Sequence, residues 1–153
     1  MSTTLTRDNL TGPWAGLPVA WTDDDRFDEP AYREDLAACC RAGLPGVYTG
    51  GSTGEFYALS GEEFQAVSRA TVEVCHEYGT PAIIGCTDTC TSGARRKAAF
   101  AAAIGADGSQ VALPFWLPVP ADGFVLMMRQ YLPGPAILDG SYELPPIEVV
   151  DTP

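Results

Sequence analysis

The chain has 153 residues, of which 46% are hydrophobic and 19% are charged. This length suits one globular domain with a core and is too short for two ordinary domains. The net charge is −11, and the basic residues cluster only at Arg95, Arg96 and Lys97, so a nucleic-acid or anionic-membrane surface is excluded. No apolar run could span a bilayer, and residues 1–5 lack the features of a secretory signal. We therefore expect a cytoplasmic protein.

Four short apolar segments predict buried strands. Their hydrophobicity is continuous rather than alternating, which is typical of parallel strands that are covered on both faces. The four segments are residues 17–21, 46–49, 82–85 and 110–113.

Helical patterns lie between and after these strands. The first helix is predicted from about residue 29 to residue 41, ending before Gly43, which suits the C′ position. In the second, Ser60 and Glu63 form a capping box. A third, alanine-rich helix is predicted from residue 92 or 93 to residue 104, and a fourth from about residue 121 to residue 131. The second helix repeats its core-facing residues at three- and four-residue spacing, and these residues are Phe64, Val67, Thr71, Val74 and Tyr78.

Four strand–helix units predict a parallel α/β fold, in which ligands bind at the carboxyl ends of the strands. After residue 131 this pattern stops, since residues 132–153 are rich in proline and have no helical period. We therefore predict one structural unit over residues 1–131 and an irregular C-terminal segment over residues 132–153.

The most informative motif is the run Gly-Gly-Ser-Thr-Gly-Glu at residues 50–55, here called the glycine turn. It follows the second predicted strand and precedes the capped helix. Its three glycines allow the backbone to approach a ligand closely, and the hydroxyls of Ser52 and Thr53 lie among free amide groups. This combination suits a carboxylate or another small anion.

No motif predicts a metal or a cofactor. The five cysteines are an odd number and form no disulfide framework, and zinc sites favour tighter spacing than that of Cys86 and Cys90. We interpret the cysteines as small buried hydrophobic side chains. The glycine turn lacks both the Gly-Lys-Ser/Thr of a phosphate loop and the Gly-x-Gly-x-x-Gly of a dinucleotide fold. The single histidine, His76, sits in a helix beside Cys75, which does not suit a catalytic dyad.

The order of these motifs resembles that of the dihydrodipicolinate synthase / N-acetylneuraminate lyase family of pyruvate-dependent class I aldolases. Gly-Ser-Thr-Gly-Glu at residues 51–55, followed by Leu-Ser-x-x-Glu at residues 59–63, is similar to the family's Gly-Thr-Thr-Gly-Glu and Leu-Ser-x-x-Glu motifs. The resemblance spans about residues 16–131. The other matching pieces are Asp25-x-x-Asp28, Gly105-Ala106-Asp107-Gly108 and Pro114-Phe115-Trp116.

The resemblance implies a partial (β/α)8 TIM barrel of about four βα units, and a homo-oligomer. It also implies a lyase, aldolase or dehydratase that forms a Schiff base between a lysine and pyruvate or a related 2-keto acid, without a separate cofactor. By position, Gly51, Ser52 and Thr53 would bind the substrate carboxylate, and Ser52 would also take part in a proton relay. Trp116 occupies the position of a relay tyrosine, where it offers only an indole N–H.

Two functional residues of the family have no counterpart in this sequence. The second relay tyrosine comes from a Tyr-Asn-x-Pro segment at the end of the fifth strand, and the lysine comes from the sixth strand. The single lysine here, Lys97, lies near the start of the third predicted helix, and we interpret it as structural or solvent-facing. We therefore expect an impaired enzyme, in which the N-terminal half of a barrel is joined by a deletion to a remnant of the C-terminus.

Two functions remain open at this point. The first is a Schiff-base lyase or dehydratase that acts on a 2-keto acid. The second is a non-catalytic half-barrel that binds a small carboxylate or serves only in oligomerisation. Four βα units leave the edges of the first and fourth strands exposed, which predicts self-association or aggregation.

Overall fold

The computed structural model describes Leu5 and residues 10–112. In this part of the chain four parallel strands form one sheet in sequence order, and a helix connects each strand to the next. The predicted α/β fold is therefore confirmed. The fourth predicted helix, Trp116 and residues 132–153 lie outside the described residues. The elements are β1 (Ala15–Gly16), α1 (Glu29–Arg41), β2 (Val47–Thr49), α2 (Gly61–Glu77), β3 (Ala82–Gly85), α3 (Thr91–Ala103) and β4 (Gly108–Gln110).

The first strand lies earlier than predicted. We predicted residues 17–21, whereas β1 comprises Ala15–Gly16. Its ladder to β2 ends where the Leu17 amide donates to the Tyr48 carbonyl oxygen at 3.1 Å. Alternate residues donate to one parallel neighbour, so Val19 would be the next donor, and in the described part of the chain its amide makes no main-chain bond to β2. Leu17 and Val19 are buried. The apolar run therefore indicated burial correctly and strand pairing incorrectly.

The fourth strand also begins earlier than predicted. We predicted residues 110–113, whereas β4 is Gly108–Gln110 and pairs in parallel with residues 83–85 of β3. Hydrophobicity missed its beginning because Gly108 and Ser109 are not apolar. A Cβ at Gly108 would stand 3.2 Å from Cγ1 of Ile83, so packing favours the glycine.

The three described helices begin and end close to their predicted positions. Asp28 caps α1 by accepting from the Ala31 amide at 3.1 Å. The Ser60–Glu63 capping box of α2 is complete, because the Ser60 amide donates to Oε2 of Glu63 at 2.8 Å and the Glu63 amide donates to Oγ of Ser60 at 3.2 Å. The predicted buried face of α2 is confirmed except at Tyr78, which follows the last helical residue and is 46% exposed.

Three buried hydroxyl groups join α1, β2 and α2. The Tyr32 oxygen lies 2.8 Å from Oγ1 of Thr49 and 3.1 Å from Oγ1 of Thr71. Thr71 donates its own hydrogen to the Val67 carbonyl oxygen at 2.8 Å. Because each hydroxyl has one hydrogen, Tyr32 must donate to Thr71, and Thr49 must donate to Tyr32. This directed chain holds the last residue of β2 against both helices.

The backbone of β3 contacts the backbone at the start of the glycine turn. Gly50 has a positive φ of 70°, and a Cβ there would stand 2.8 Å from the carbonyl oxygen of Gly85. A Cβ at Gly85 would stand 2.2 Å from the Gly50 carbonyl oxygen and 2.7 Å from that of Thr49. Both side-chain positions are therefore occupied by main chain. This contact fixes the direction in which the turn leaves the sheet.

We expect Tyr32→Phe to lower the free energy of unfolding at pH 7 by about 1–3 kcal/mol, because buried Thr49 loses its acceptor and Thr71 loses its donor. Urea denaturation measures the loss. The control is Tyr78→Phe, at an exposed ring, which should change stability by less than about 0.5 kcal/mol.

The free energies of unfolding of the wild type and of Tyr32→Phe should become more similar at high pH. Burial, which outweighs the hydrogen bonds from Thr49 and Thr71, raises the pKa of Tyr32 to about 12. Between pH 10 and 12 the unfolded chain has lost this proton and the folded chain keeps it, so the wild type loses stability that Tyr32→Phe retains. A difference that stays constant from pH 8 to pH 12 would contradict this account.

We expect Gly85→Ala to lower the free energy of unfolding by about 3 kcal/mol or more, because its Cβ would overlap main-chain atoms that have no free space to move into. The matched control is Gly61→Ala at the start of α2, where a Cβ would meet nothing within 4 Å. That change should be neutral or stabilising by up to about 1 kcal/mol. Equal effects of the two substitutions in urea denaturation would show that the Gly50–Gly85 contact is not close.

Candidate functional site

The glycine turn lies at the carboxyl end of β2, as predicted, and residues 51–58 form consecutive turns before α2 begins. Three hydrogen bonds hold these turns: from the Glu55 amide to the Ser52 carbonyl, from the Phe56 amide to the Gly51 carbonyl, and from the Ala58 amide to the Glu55 carbonyl. Glu55 has a positive φ of 48°, which is uncommon for a residue with a side chain. Main-chain hydrogen bonds within residues 51–58 thus hold the conformation of this segment.

Two glycines of the turn pack against neighbouring strands. A Cβ at Gly54 would stand 3.1 Å from the carbonyl oxygen of Leu17, beside the end of β1. A Cβ at Gly51 would stand 2.1 Å from the hydroxyl oxygen of Tyr48. Both glycines are buried. The turn therefore lies flat against the carboxyl edge of the sheet, where parallel α/β proteins bind ligands.

Ser52 and Thr53 lie at the exposed side of the turn. Among the described residues, the amides of Gly51, Ser52 and Thr53 have no main-chain acceptor. Consecutive free amides next to hydroxyl groups form a site that favours an anion. The structure thus places the three predicted substrate-binding residues on one loop, where Gly51 is buried and Ser52 and Thr53 are exposed. The other predicted site residue, Trp116, lies outside the described part.

Lys97 does not join this site. Its Nζ donates to the Thr87 carbonyl oxygen at 3.0 Å and lies 3.1 Å from Oδ2 of Asp88, and its side chain is only 19% exposed. Burial alone would raise the pKa of Asp88, but the hydrogen bond and charge of Lys97 hold it below its usual value. Lys97 therefore fixes the loop after β3 and is not solvent-facing, so of the two interpretations only the structural one fits its contacts.

The cysteines and the histidine form no catalytic pair in the described part of the chain. Cys75 is fully buried with its sulfur 4.0 Å from that of Cys40, whereas Nε2 of His76 lies 2.9 Å from Oδ2 of Asp107. Residues 10–112 contain no group of three or more potential metal-binding side chains. Cys40, Cys75 and Cys86 are buried as predicted, and Cys39 is half-buried. Cys90 is exposed at the start of α3, so the interpretation as a buried hydrophobic side chain is wrong there.

Sequence reasoning missed two residues near the glycine turn, Tyr48 and Gln110. The Tyr48 hydroxyl donates to Oε1 of Gln110 at 2.9 Å. The signal was available for Tyr48: side chains alternate along a strand, so a tyrosine between buried Val47 and buried Thr49 must face away from the helices. Gln110 was predicted to be part of a buried strand, whereas its side chain is exposed.

No helix in the described part is long and apolar enough to cross a membrane.

Comparisons with known proteins agree on one family. The sequence model of the dihydrodipicolinate synthetase family matches residues 9–133. A probable 5-dehydro-4-deoxyglucarate dehydratase from Rhodococcus jostii is 33% identical over 115 residues, which are 74% of this chain and 37% of that protein. A 4-hydroxy-tetrahydrodipicolinate synthase from Acidiphilium cryptum is 30% identical over 140 residues, or 92% of this chain and 48% of that protein.

The fold is similar to those of solved structures in the same family. A prophage protein of the dihydrodipicolinic acid synthase family from E. coli K12, solved in complex with pyruvate, superposes with a TM-score of 0.71 at 28% identity over 80% of this chain and 41% of its own. A dihydrodipicolinate synthase from Rhodopseudomonas palustris gives a TM-score of 0.75 at 25% identity, over 85% and 42%.

This chain therefore spans less than half the length of these relatives, and its four-stranded sheet corresponds to part of a TIM barrel. The family match includes both the glycine turn and the capping box of α2. The chain belongs to the dihydrodipicolinate synthetase family.

Proposed function

We propose that the glycine turn binds the carboxylate of a 2-keto acid, as one part of a site of the aldolase or dehydratase type. The observation that carries this proposal is the row of amides at Gly51, Ser52 and Thr53, which lack main-chain acceptors in the described part of the chain and lie beside two exposed hydroxyls. These neutral donors match the acceptor-only chemistry of a carboxylate.

The relatives support this chemistry. Two of them are named for a dehydratase and a synthase, and the E. coli relative was solved in complex with pyruvate. The carboxylate is the group that these donors recognise, and the keto carbon is the group that an amine would attack. Of these two steps, the described residues of this chain provide groups for the first.

Lys97 is unsuited to the covalent step. A nucleophilic amine must lose its proton and reach the keto carbon. The Lys97 amine is held by Asp88 and by the Thr87 carbonyl oxygen on the loop after β3. We therefore propose that this 153-residue chain recognises a 2-keto acid without forming a Schiff base.

We expect pyruvate to bind the chain saturably, and we expect the double substitution Ser52→Ala with Thr53→Val to weaken binding about tenfold or more, since two hydrogen bonds to a charged group are lost. Ligand-detected NMR measures both affinities. Thr11→Val, at an exposed threonine outside the turn, is the matched control and should leave the affinity unchanged. Acetone, which keeps the carbonyl and lacks the carboxylate, should not bind. Equal affinities of the double variant and the wild type would refute the assignment.

The chain treated with pyruvate and sodium borohydride should keep its mass. Borohydride reduces a Schiff base to a stable amine, so intact-protein mass spectrometry detects any that forms. Peptide mapping then locates it. A pyruvate adduct on Lys97 would contradict the proposed structural role of this residue and would favour the complete enzyme mechanism.

A further inference from the structure

Tyr48 lies on the face of the sheet opposite the helices. Thr49, its neighbour in β2, contacts Tyr32 of α1, whose hydroxyl also contacts Thr71 of α2, and successive strand residues point to opposite faces. On this second face Tyr48 is in register with Gly16 on one side and Ile83 on the other. A Cβ at Gly16 would be 3.8 Å from Cδ1 of the Tyr48 ring, so the small neighbour leaves the ring room.

The Tyr48 hydroxyl reaches the carboxyl edge of the sheet. It donates to Gln110, the last residue of β4, at 2.9 Å, and so bridges β2 and β4 across β3. It also occupies the position that a side chain at Gly51 would take. The hydroxyl is therefore directly beside the first residue of the proposed carboxylate site. Burial raises the pKa of Tyr48.

The Tyr48–Gln110 pair has unused hydrogen-bonding capacity. With the phenol donating to Oε1, the phenol oxygen can still accept a hydrogen bond and the Gln110 amide nitrogen can still donate two. If the amide is rotated so that its nitrogen faces Tyr48, the phenol hydrogen and Oε1 become the unused groups. In both orientations the pair offers at least one donor and at least one acceptor. A hydroxyl group, which both donates and accepts, complements this pair.

We propose that Tyr48 and Gln110 bind a hydroxyl group on the carbon chain of a 2-keto acid whose carboxylate is held by the glycine turn. This inference rests on the proposed function and extends it, because it assigns the preferred substrates to hydroxylated 2-keto acids rather than to pyruvate alone. Both residues are neutral, so they select the ligand through hydrogen bonds and not through net charge. The glycine turn would bind the carboxylate, and the adjacent Tyr48–Gln110 pair would bind the hydroxyl.

A purely structural role for the pair makes a different prediction. If the bond from Tyr48 to Gln110 only ties β2 to β4, its removal changes the stability of the chain but affects all ligands of the glycine turn equally. If the pair binds a hydroxyl, its removal changes the preference between two ligands that differ by this one group. The ratio of two affinities therefore separates the roles, whereas one affinity does not.

The experiment measures the dissociation constants of 4-hydroxy-2-oxobutanoate and 2-oxobutanoate for the full 153-residue chain by ligand-detected NMR. The wild type should bind the hydroxylated ligand about three to ten times more tightly, as one or two hydrogen bonds contribute. Tyr48→Phe should reduce this ratio to about 1, and Gln110→Leu should do the same by a change on another strand. Tyr78→Phe, the same substitution at an exposed tyrosine on the far end of α2, should keep the wild-type ratio.

The outcomes distinguish this inference from the function on which it rests. A wild-type ratio near 1, or a ratio that survives both Tyr48→Phe and Gln110→Leu, overturns the inference while carboxylate binding stands. If the wild type binds neither ligand, the proposed function fails and the inference fails with it. A ratio that falls in either variant while Tyr78→Phe keeps it supports the assignment.

Discussion

The candidate site depends on the close approach of two main-chain segments. These are Gly50, directly after β2, and Gly85, the last residue of β3. The carbonyl oxygen of each residue fills the space that a side chain on the other would need. The strand ends can therefore meet only if both residues are glycine. Because the glycine turn starts at this contact, the position of its free amides follows from the packing of two strands and needs no flexible side chain.

Side-chain hydrogen bonds on both faces of β2 hold the same strand end in place. On the helix side Thr49 is bonded to Tyr32, which is bonded in turn to Thr71, and on the opposite side Tyr48 reaches Gln110. The last residues of one short strand thus attach to both helices, to β3 and to β4. The hydroxyl groups of Tyr32, Thr49 and Thr71 are buried and hydrogen-bonded to one another or to main chain, and such groups favour one arrangement over alternatives. The free amides of the turn therefore follow a strand end that several contacts hold in place, and binding of a small anion needs such a fixed site.

Much of this could be read from the sequence. The capping box of α2, the end of α1 at Gly43 and the order of strands and helices follow from local chemistry, and the structure agrees. The bounds of β1 and the start of β4 could not be predicted from hydrophobicity. Leu17 is buried although it lies after β1, and Gly108 is paired in β4 although it is not apolar. The Gly50–Gly85 contact joins residues far apart in sequence, so no local pattern reveals it. The domain boundary at residue 131, the half-barrel origin, self-association and the cytoplasmic location stay predictions.

The central claim is that the amides of the glycine turn bind a carboxylate. A titration of the 15N-labelled chain with pyruvate, followed through its amide resonances, tests this claim most directly. The account predicts saturable shifts at Gly51, Ser52 and Thr53, with smaller shifts at Gly93 and Ala94, whose amides donate to the Cys90 carbonyl at the start of α3. Shifts that are absent from the turn, or larger at the start of α3, would contradict it.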